Sequence, residues 1–261
     1  MEFVYNYNSL PTYSERDIIL KDYLLNIIPF EVKNILKAQN RAWDLIRLES
    51  PCLIPRELIS PNYTNEDLWV QEAQGSTELV LKPETTPATY AFMKHHMEHN
   101  SVMPPIGFYQ ASRSFRREQD QGTKHCRYKE FYQLEFQCLY TRDTKNNYQE
   151  SVIGDLANML MNIVGLPTRI VLSDRLPDYS LKTIDVEVFN GDKWMEICSV
   201  SLRNDFLIQP IIKNKPTECY VLEIAIGIDR LIYNINQRTK VFADLVVQNM
   251  IEEEDDDNSE S

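Results

Sequence analysis

The stretch from Ile106 to Tyr140 constrains this chain more than any other. Two runs rich in aromatic and apolar residues, IGFYQAS and YQLEFQCLY, flank a charged segment, FRREQDQGTKHCRYKEF, with Gly122 near its middle. Such a pattern reads as two β-strands joined by a charged turn. Side chains on a strand alternate faces. From Arg127 onward the even positions (Tyr128, Glu130, Tyr132, Leu134, Phe136, Cys138) make a mostly apolar face that belongs to a core. The odd positions (Arg127, Lys129, Phe131, Gln133, Glu135, Gln137) are polar with a single aromatic ring. On the incoming strand Arg116 and Glu118 share a face with Ser112 and Ser114. If the two polar faces coincide, arginines, carboxylates and a phenyl ring converge on one surface. Arginine suits phosphate oxygens, and the ring suits a base. A solvated sheet face with exposed salt bridges accounts for the alternation equally well.

The remaining pattern sets the fold class. Ser14 is placed to cap a helix through ERDIILKDYLLNII, interrupted at Pro29, and a second helix is expected from about Glu31 to Leu48. SPCLIP and ELVLKP read as short strands. Thr86 can cap a helix over Ala88–Glu98 with Pro87 at its first turn. An amphipathic helix is expected over Asn147–Val164, and strands return at RIVLS, TIDVEVF, WMEICSVS and CYVLEIAI, before a helical IDRLIYNINQR. Strands cluster in the middle and end of the chain with few strand–helix–strand alternations. The expectation is an α+β fold built on a large, mainly antiparallel β-sheet flanked by helices.

Composition excludes several function classes. The net charge is −12, and much of it lies in EEEDDDNSES at the C-terminus. General nucleic-acid binding is disfavoured, and a local basic patch is the form such binding would take. We divide the chain into one core over residues 1–250 and an acidic tail over 251–261 that is expected to be disordered. Cys52, Cys126, Cys138, Cys198 and Cys219 form no CxxC pair. Free thiols in a reducing compartment are expected, rather than a zinc site. The first residues lack a signal-peptide pattern, and no apolar run approaches membrane-spanning length. A cytoplasmic protein without membrane contact is the reading. His95 and His99 stand at helical i, i+4 spacing with no third ligand evident, so an exposed helix end is expected there.

Phe115–Glu118 (FRRE), an eight-residue loop and Arg127-x-x-x-Phe131 together resemble motif 2 of class II aminoacyl-tRNA synthetases. EIAIGIDRLIY, Glu223–Tyr233, resembles their motif 3, and RLESPCLIP, Arg47–Pro55, is similar to motif 1. LKPETTPA, RYKEFYQLE and TIDVEV are similar to segments of the glycyl-tRNA synthetase branch in class IIa. MEICSVSLRNDF, Met195–Phe206, resembles a segment of the seryl branch instead.

The resemblance implies ATP-dependent activation of an amino acid to an aminoacyl-adenylate, with tRNA or another amine, thiol or protein as acceptor. By the same resemblance Arg116 and Arg230 are the catalytic arginines. ATP would be held by Arg116, Glu118, Arg127, Phe131, Glu196 and Arg230. Arg116 lies on the α-phosphate, Glu118 at the adenine amino group, Phe131 under the ring with Arg230 over it, and Arg127 with Arg230 on the γ-phosphate. Glu84, Glu135 and Glu223 would receive the amino acid. Glu196 and Ser199 would bind Mg²⁺, which prefers hard oxygen ligands. Their strand parity differs, so a bulge or bend is required between them. Lys124 and His125 on the charged turn would lie where the family contacts the tRNA acceptor end. A homodimer is implied, with Trp43, Leu45, Leu53 and Ile54 offering apolar area around motif 1.

Three departures from the family pattern stand out. Ala225 occupies a position where the glycyl branch has a serine. Threonyl enzymes carry a zinc-binding cysteine near the position of Thr86, so a threonyl-type zinc site is not expected. The stretch after Arg230 is too short for the usual anticodon-binding domain. A non-catalytic accessory subunit that reuses the fold, as in a mitochondrial DNA polymerase, is the competing reading. Retention of Arg116, Glu118, Arg127, Phe131 and Arg230 together speaks against it.

Overall fold

The computed structural model describes residues 4–7, 10–71, 78–100, 104–117, 126–141, 148–174, 180–203 and 219–241. Its centre is a seven-stranded sheet. The strands are β3 (Leu45–Arg47), β7 (Ile106–Phe115), β8 (Glu130–Thr141), β9 (Thr168–Leu172), β10 (Ser180–Phe189), β11 (Trp194–Arg203) and β12 (Cys219–Gly227), in spatial order β3-β7-β8-β12-β11-β10-β9. Every pairing is antiparallel except β3 with β7. That parallel pair comes close, and a Cβ on Gly107 would run into Leu45 Cδ2. A hairpin of β1 (Val4–Tyr7) and β2 (Leu10–Tyr13) opens the chain, and β4 (Leu53–Pro55), β6 (Leu79–Leu81) and β5 (Val70–Gln71) form a small separate sheet.

Helix α1 (Glu15–Gln39) starts at the predicted Ser14, whose hydroxyl accepts from the Asp17 N–H in a reciprocal capping box. It differs from the expected pair of helices, because Pro29 lies inside one continuous helix. An internal proline removes one N–H bond and costs ~3 kcal/mol or more. Leu24, Ile28, Val32 and Leu36, fully buried at four-residue spacing, offset that cost by seating the helix on the sheet. The helix ends at Gln39 rather than near Leu48, and the chain turns so that Trp43 packs edge-on against Tyr140 and Tyr148. The area that Trp43 and Ile54 were expected to offer a second subunit is therefore internal. Trp43 is in the main core, and Ile54 is under the small sheet with Ile59, Leu68 and Val80.

Helix α2 (Thr86–His99) begins at Thr85, one residue before the expected cap, and neither threonine makes a side-chain cap. Helix α3 (Tyr148–Val164) matches the expected amphipathic helix within a residue. The last described helix, α4, spans residues 228–241. Helices α1, α3 and α4 cover the even-numbered face of β8, where Leu134, Phe136 and Cys138 are fully buried. Helix α2 covers one end of the opposite face through Tyr90, Met93, Phe108, Leu139 and Val221. Among the described residues the rest of that second face is left as a cleft. All five cysteines are free, and four are buried. No described helix is long and apolar enough to cross a membrane. The boundary expected near residue 250 lies outside the described residues, as do Glu118, Lys124 and His125.

Candidate active site

The register carries the polar residues across the sheet in rows. One row reads Gln110, Glu135, Ala225, Ser199 and Asp185 along β7, β8, β12, β11 and β10. The next reads Phe108, Gln137, Glu223, Ser201 and Thr183. The odd face of β8 is thus not a solvated face. Glu135 is 1% exposed and Gln137 is fully buried.

Buried polar groups need partners, and these supply one another's. Glu135 Oε1 accepts from Thr86 Oγ1 at 2.7 Å and from Gln137 Nε2 at 2.7 Å, and its Oε2 accepts from Gln133 Nε2 at 2.8 Å. Gln137 Nε2 also donates to Glu223 Oε2 at 2.8 Å, and the buried Arg203 guanidinium pairs with that same oxygen. Glu84 Oε2 accepts from Tyr63 Oη at 3.0 Å. Burial raises the Glu84 carboxyl, against the pull of Arg116 and Arg203. Burial first, and the Glu223 charge second, push Glu135 up to about 7. Glu84, Glu135 and Glu223 line one cavity, together with Thr86, Ser199 and Ser201.

A second cavity adjoins it, lined by Arg116, Arg127, Phe131, Glu196, Gly227 and Arg230. Arg116, Gln133, Glu196 and Ala225 belong to both. Arg116 Nε donates to the Pro83 carbonyl at 3.0 Å, and its guanidinium carbon lies 5.3 Å from the Phe131 ring centre. Arg230 Nη1 donates to the Glu196 carbonyl at 2.8 Å and lies 3.2 Å from Glu196 Oε1. Arg127 and Arg230 also line a further cavity, with Arg169 and Lys193. Cys126, at φ 47°, is a non-glycine residue in a left-handed backbone at the edge of this cleft, a conformation that costs on the order of 1–3 kcal/mol.

The Asp229 carboxylate ties three elements together beside the second cavity. It accepts from the Tyr13 hydroxyl of β2 and from the Tyr132 N–H at 2.6 Å, next to Phe131 on β8, while following Gly227 on the chain. Burial pushes Asp229 up to about 6 and raises Tyr13 as well, with the neighbouring Asp229 charge adding to the Tyr13 shift.

A family model described as the tRNA synthetase class II core domain (G, H, P, S and T) matches residues 68–238. The chain belongs to this family. The synthetase core is 30% identical over 173 residues to a glycine–tRNA ligase of Alkaliphilus oremlandii, covering 60% of this chain and 37% of the relative. It is 25% identical over 174 residues to that of Mycoplasmopsis synoviae, covering 60% and 39%. The chain thus spans about two fifths of the length of the curated relatives it matches. Among solved structures, Giardia lamblia prolyl-tRNA synthetase in complex with prolyl-adenylate superimposes with a TM-score of 0.70 at 11% identity, over 90% of this chain and 50% of that one. A Cryptosporidium parvum prolyl-tRNA synthetase complexed with halofuginone and AMPPNP gives 0.69 at 12%, over 90% and 49%. At such identities the likeness establishes the fold, which is the expected α+β class II core.

Of the residues singled out from sequence, the synthetase core brings Arg116, Arg127, Phe131, Glu196 and Arg230 to one cavity and Glu84, Glu135 and Glu223 to its neighbour. The bulge required between Glu196 and Ser199 is present. Glu187 pairs with Glu196 and Val186 with Cys198, leaving Ile197 as an extra residue. Ile197 and Cys198 both enter the core, and Glu196 and Ser199 both face the carboxylate cavity. Arg203, Gln137, Asp185 and Ser201 were not assigned roles from sequence. Gln137 was visible as part of the polar face of β8, whereas Asp185 and Arg203 lie within the quoted TIDVEV and MEICSVSLRNDF segments but join the site only through sheet register. Thr86, read as a helix cap, donates to Glu135 instead. The His95 and His99 rings lie tilted at 32° with centroids 4.2 Å apart, and His99 Nδ1 bonds to the His95 carbonyl at 2.8 Å. Among the described residues no group of three or more His, Cys, Asp or Glu side chains is placed to hold a metal.

Proposed function

We propose that this chain activates a small amino acid with ATP, forming an aminoacyl-adenylate and releasing pyrophosphate, with a tRNA acceptor end as the leading acceptor. One observation carries the reading: a cavity lined with arginines and a phenyl ring meets a cavity lined with buried carboxylates, and Arg116 stands at their junction. The base would lie on Phe131, with the phosphates toward Arg116, Arg127 and Arg230. The substrate ammonium would sit among Glu84, Glu135 and Glu223. One carboxylate oxygen of the amino acid then attacks the α-phosphorus, and the bond from that phosphorus to the bridging oxygen breaks. The electron pair leaves with pyrophosphate. Arg116 offers positive charge where negative charge accumulates on the α-phosphate oxygens in that transition state, and preorganised charge of this kind is a large catalytic term.

Glu196 and Ser199 fit a magnesium ion that arrives with ATP. They provide two hard oxygen donors on one face, and Mg²⁺ commonly takes only one or two protein oxygens beside phosphate and water. When bound, the ion supplies charge neutralisation on the phosphates. Glu196 would hold the ion through the carboxylate that now lies 3.2 Å from Arg230 Nη1, while Arg230 keeps its hydrogen bond to the Glu196 carbonyl. Exposed Ile19, Tyr23 and Phe30 along α1, with Leu53 on the small sheet, supply apolar area for the proposed homodimer in place of Trp43 and Ile54.

The test is ATP–pyrophosphate exchange with purified protein and each of the twenty amino acids. Exchange with glycine, alanine or serine and none with leucine or phenylalanine supports the reading. A preference for a large or basic amino acid, or no exchange by folded protein that binds no ATP, overturns it.

A further inference from the structure

Two walls of the arginine-lined cavity are joined through one buried carboxylate. Phe131 lies on β8 and Arg230 lies in the first turn of α4, and both line that cavity. Tyr132 follows Phe131, and Asp229 precedes Arg230. These two neighbours are bonded to each other, with the Tyr132 N–H donating to Asp229 Oδ2 at 2.6 Å. Sheet register gives the reason. The β8–β12 ladder stops at the pair Gln133 and Gly227, so the Tyr132 N–H just beyond it has no strand to meet. The carboxylate that follows Gly227 stands in for the missing strand, and it thereby sets how far Phe131 stands from Arg230.

Asp229 is 5% exposed, and its other oxygen needs a donor as well. Tyr13 of β2 supplies it, its hydroxyl donating to Asp229 Oδ1. The Tyr13 ring is seated independently of that bond, edge-on against Tyr132 with centres 6.0 Å apart. Lys21 Nζ and the Arg113 guanidinium carbon lie 4.7 Å and 5.1 Å from the centre of the same Tyr132 ring. Close by in sequence, Asp17 Oδ1 accepts from Asn236 Nδ2 at 2.8 Å, which fixes the start of α1 to α4. The N-terminal segment is thus tied at two points to the helix that carries Arg230. One of those ties ends on the carboxylate that spaces the cavity walls. Tyr13 lies upstream of the matched synthetase core.

We propose that Tyr13 is a positioning residue for the nucleotide, holding Phe131 and Arg230 through Asp229 at the spacing that receives a base and its phosphates. The inference rests on the ATP reading of this cavity and adds to it a residue that does not touch the ligand. Without the Tyr13 hydroxyl a buried carboxylate oxygen is left unpaired, which is costly. The carboxylate then turns to recover a partner, and its grip on the Tyr132 N–H weakens. The carboxylates of the neighbouring cavity keep their own partners, Thr86 on Glu135 and Tyr63 on Glu84, so the change does not reach them.

The experiment pairs calorimetric titration of ATP with Mg²⁺ into the full chain with pyrophosphate exchange. The proteins are the wild type, Tyr13→Phe, Asp229→Asn, the double variant and Val152→Ala, each shown to be folded at the assay temperature by circular dichroism and thermal melt. Tyr13→Phe keeps the ring and should raise the Kd and the KM for ATP together by about tenfold, with the KM for the amino acid held within about twofold. Asparagine at 229 keeps one acceptor oxygen for two donors, so Asp229→Asn should weaken ATP as well, and the double variant should be no weaker than Asp229→Asn alone. Val152 is buried in the main core and lines neither cavity, so Val152→Ala should lower the melting temperature and leave the ATP Kd unchanged. An unchanged ATP Kd in Tyr13→Phe, losses that add in the double variant, an equal loss in Val152→Ala, or an equal rise in the amino-acid KM overturns the inference while leaving amino-acid activation standing. ATP binding without exchange removes the activation reading, and the Kd values of the variants then decide the inference. Absence of ATP binding by the folded wild type overturns both.

Discussion

Replacing Glu135 by glutamine should stabilise the protein above neutral pH while weakening its hold on an amino acid. Glu135 is 1% exposed, and its carboxyl titrates near 7 rather than at the ordinary 4.5, raised by burial and then by the Glu223 charge. A carboxyl whose pKa is higher folded than unfolded favours the fold in its neutral form. That contribution is fully present below about pH 4.5 and is lost progressively as pH rises to about 7. Above that pH the wild type bears the cost of a buried anion beside Glu84 and Glu223, which the shift puts at about 3 kcal/mol. Glutamine has the same shape, keeps one oxygen for Thr86 and Gln137, and cannot ionise. Part of the gain is forfeited where its amide faces Gln133, so a net ~1–2 kcal/mol at pH 8 is expected, or about 2–8 °C in melting temperature for a chain of this size. At pH 5 the two proteins should melt together. Ammonium binding needs the anion, so in the wild type amino-acid affinity should fall up to tenfold per pH unit below about 7, and in Glu135→Gln it should be weak and far less dependent on pH. Thermal melts from pH 5 to 8.5, with calorimetric titration at the same points, check both statements. If the variant melts lower than the wild type by the same margin at every pH, the reasoning is wrong.

Arg116→Ala should lower pyrophosphate exchange by ~10²-fold or more with the fold intact, and undiminished exchange removes Arg116 from the proposed role. Trp43→Ala should cost about 3–5 kcal/mol, because it empties a site enclosed by Tyr140 and Tyr148, and urea melts will show whether the tryptophan is core. Tyr13→Phe should cost about 1–3 kcal/mol by taking a donor from the buried Asp229, with a smaller loss at pH 5, where Asp229 is protonated in the fold, than at pH 8. Light scattering at micromolar concentration should give twice the mass of one chain, and a monomer refutes the dimer proposed along α1.

Although β3 was read as the end of a helix and the β1–β2 hairpin was not read at all, the amino-acid sequence by itself determined six of the seven strands of the central sheet, the amphipathic α3, the Ser14 cap and the pairing of a ring with arginines around Phe131. These are local signals of alternation, helical spacing and capping chemistry. Even the bulge between Glu196 and Ser199 was legible once the family resemblance put both on one ion, because parity forbids two residues three apart on a regular strand from sharing a face. Tertiary structure decided what local signals cannot carry. Pro29 stays inside α1 because burial of Leu24, Ile28, Val32 and Leu36 outweighs one missing hydrogen bond. Trp43 is internal because the chain leaves the helix at Gln39 and turns its ring onto Tyr140 and Tyr148. The odd face of β8 matched a solvated surface equally well in sequence. It became a buried acid cluster once register set Gln137 between Glu135 and Glu223 and brought Arg203 to Glu223 from a strand whose own sequence gives no hint of it. Charges that would be ordinary on a surface acquire shifted protonation only when the fold removes water from around them. That removal is a property of packing among distant segments, which no single stretch of sequence contains.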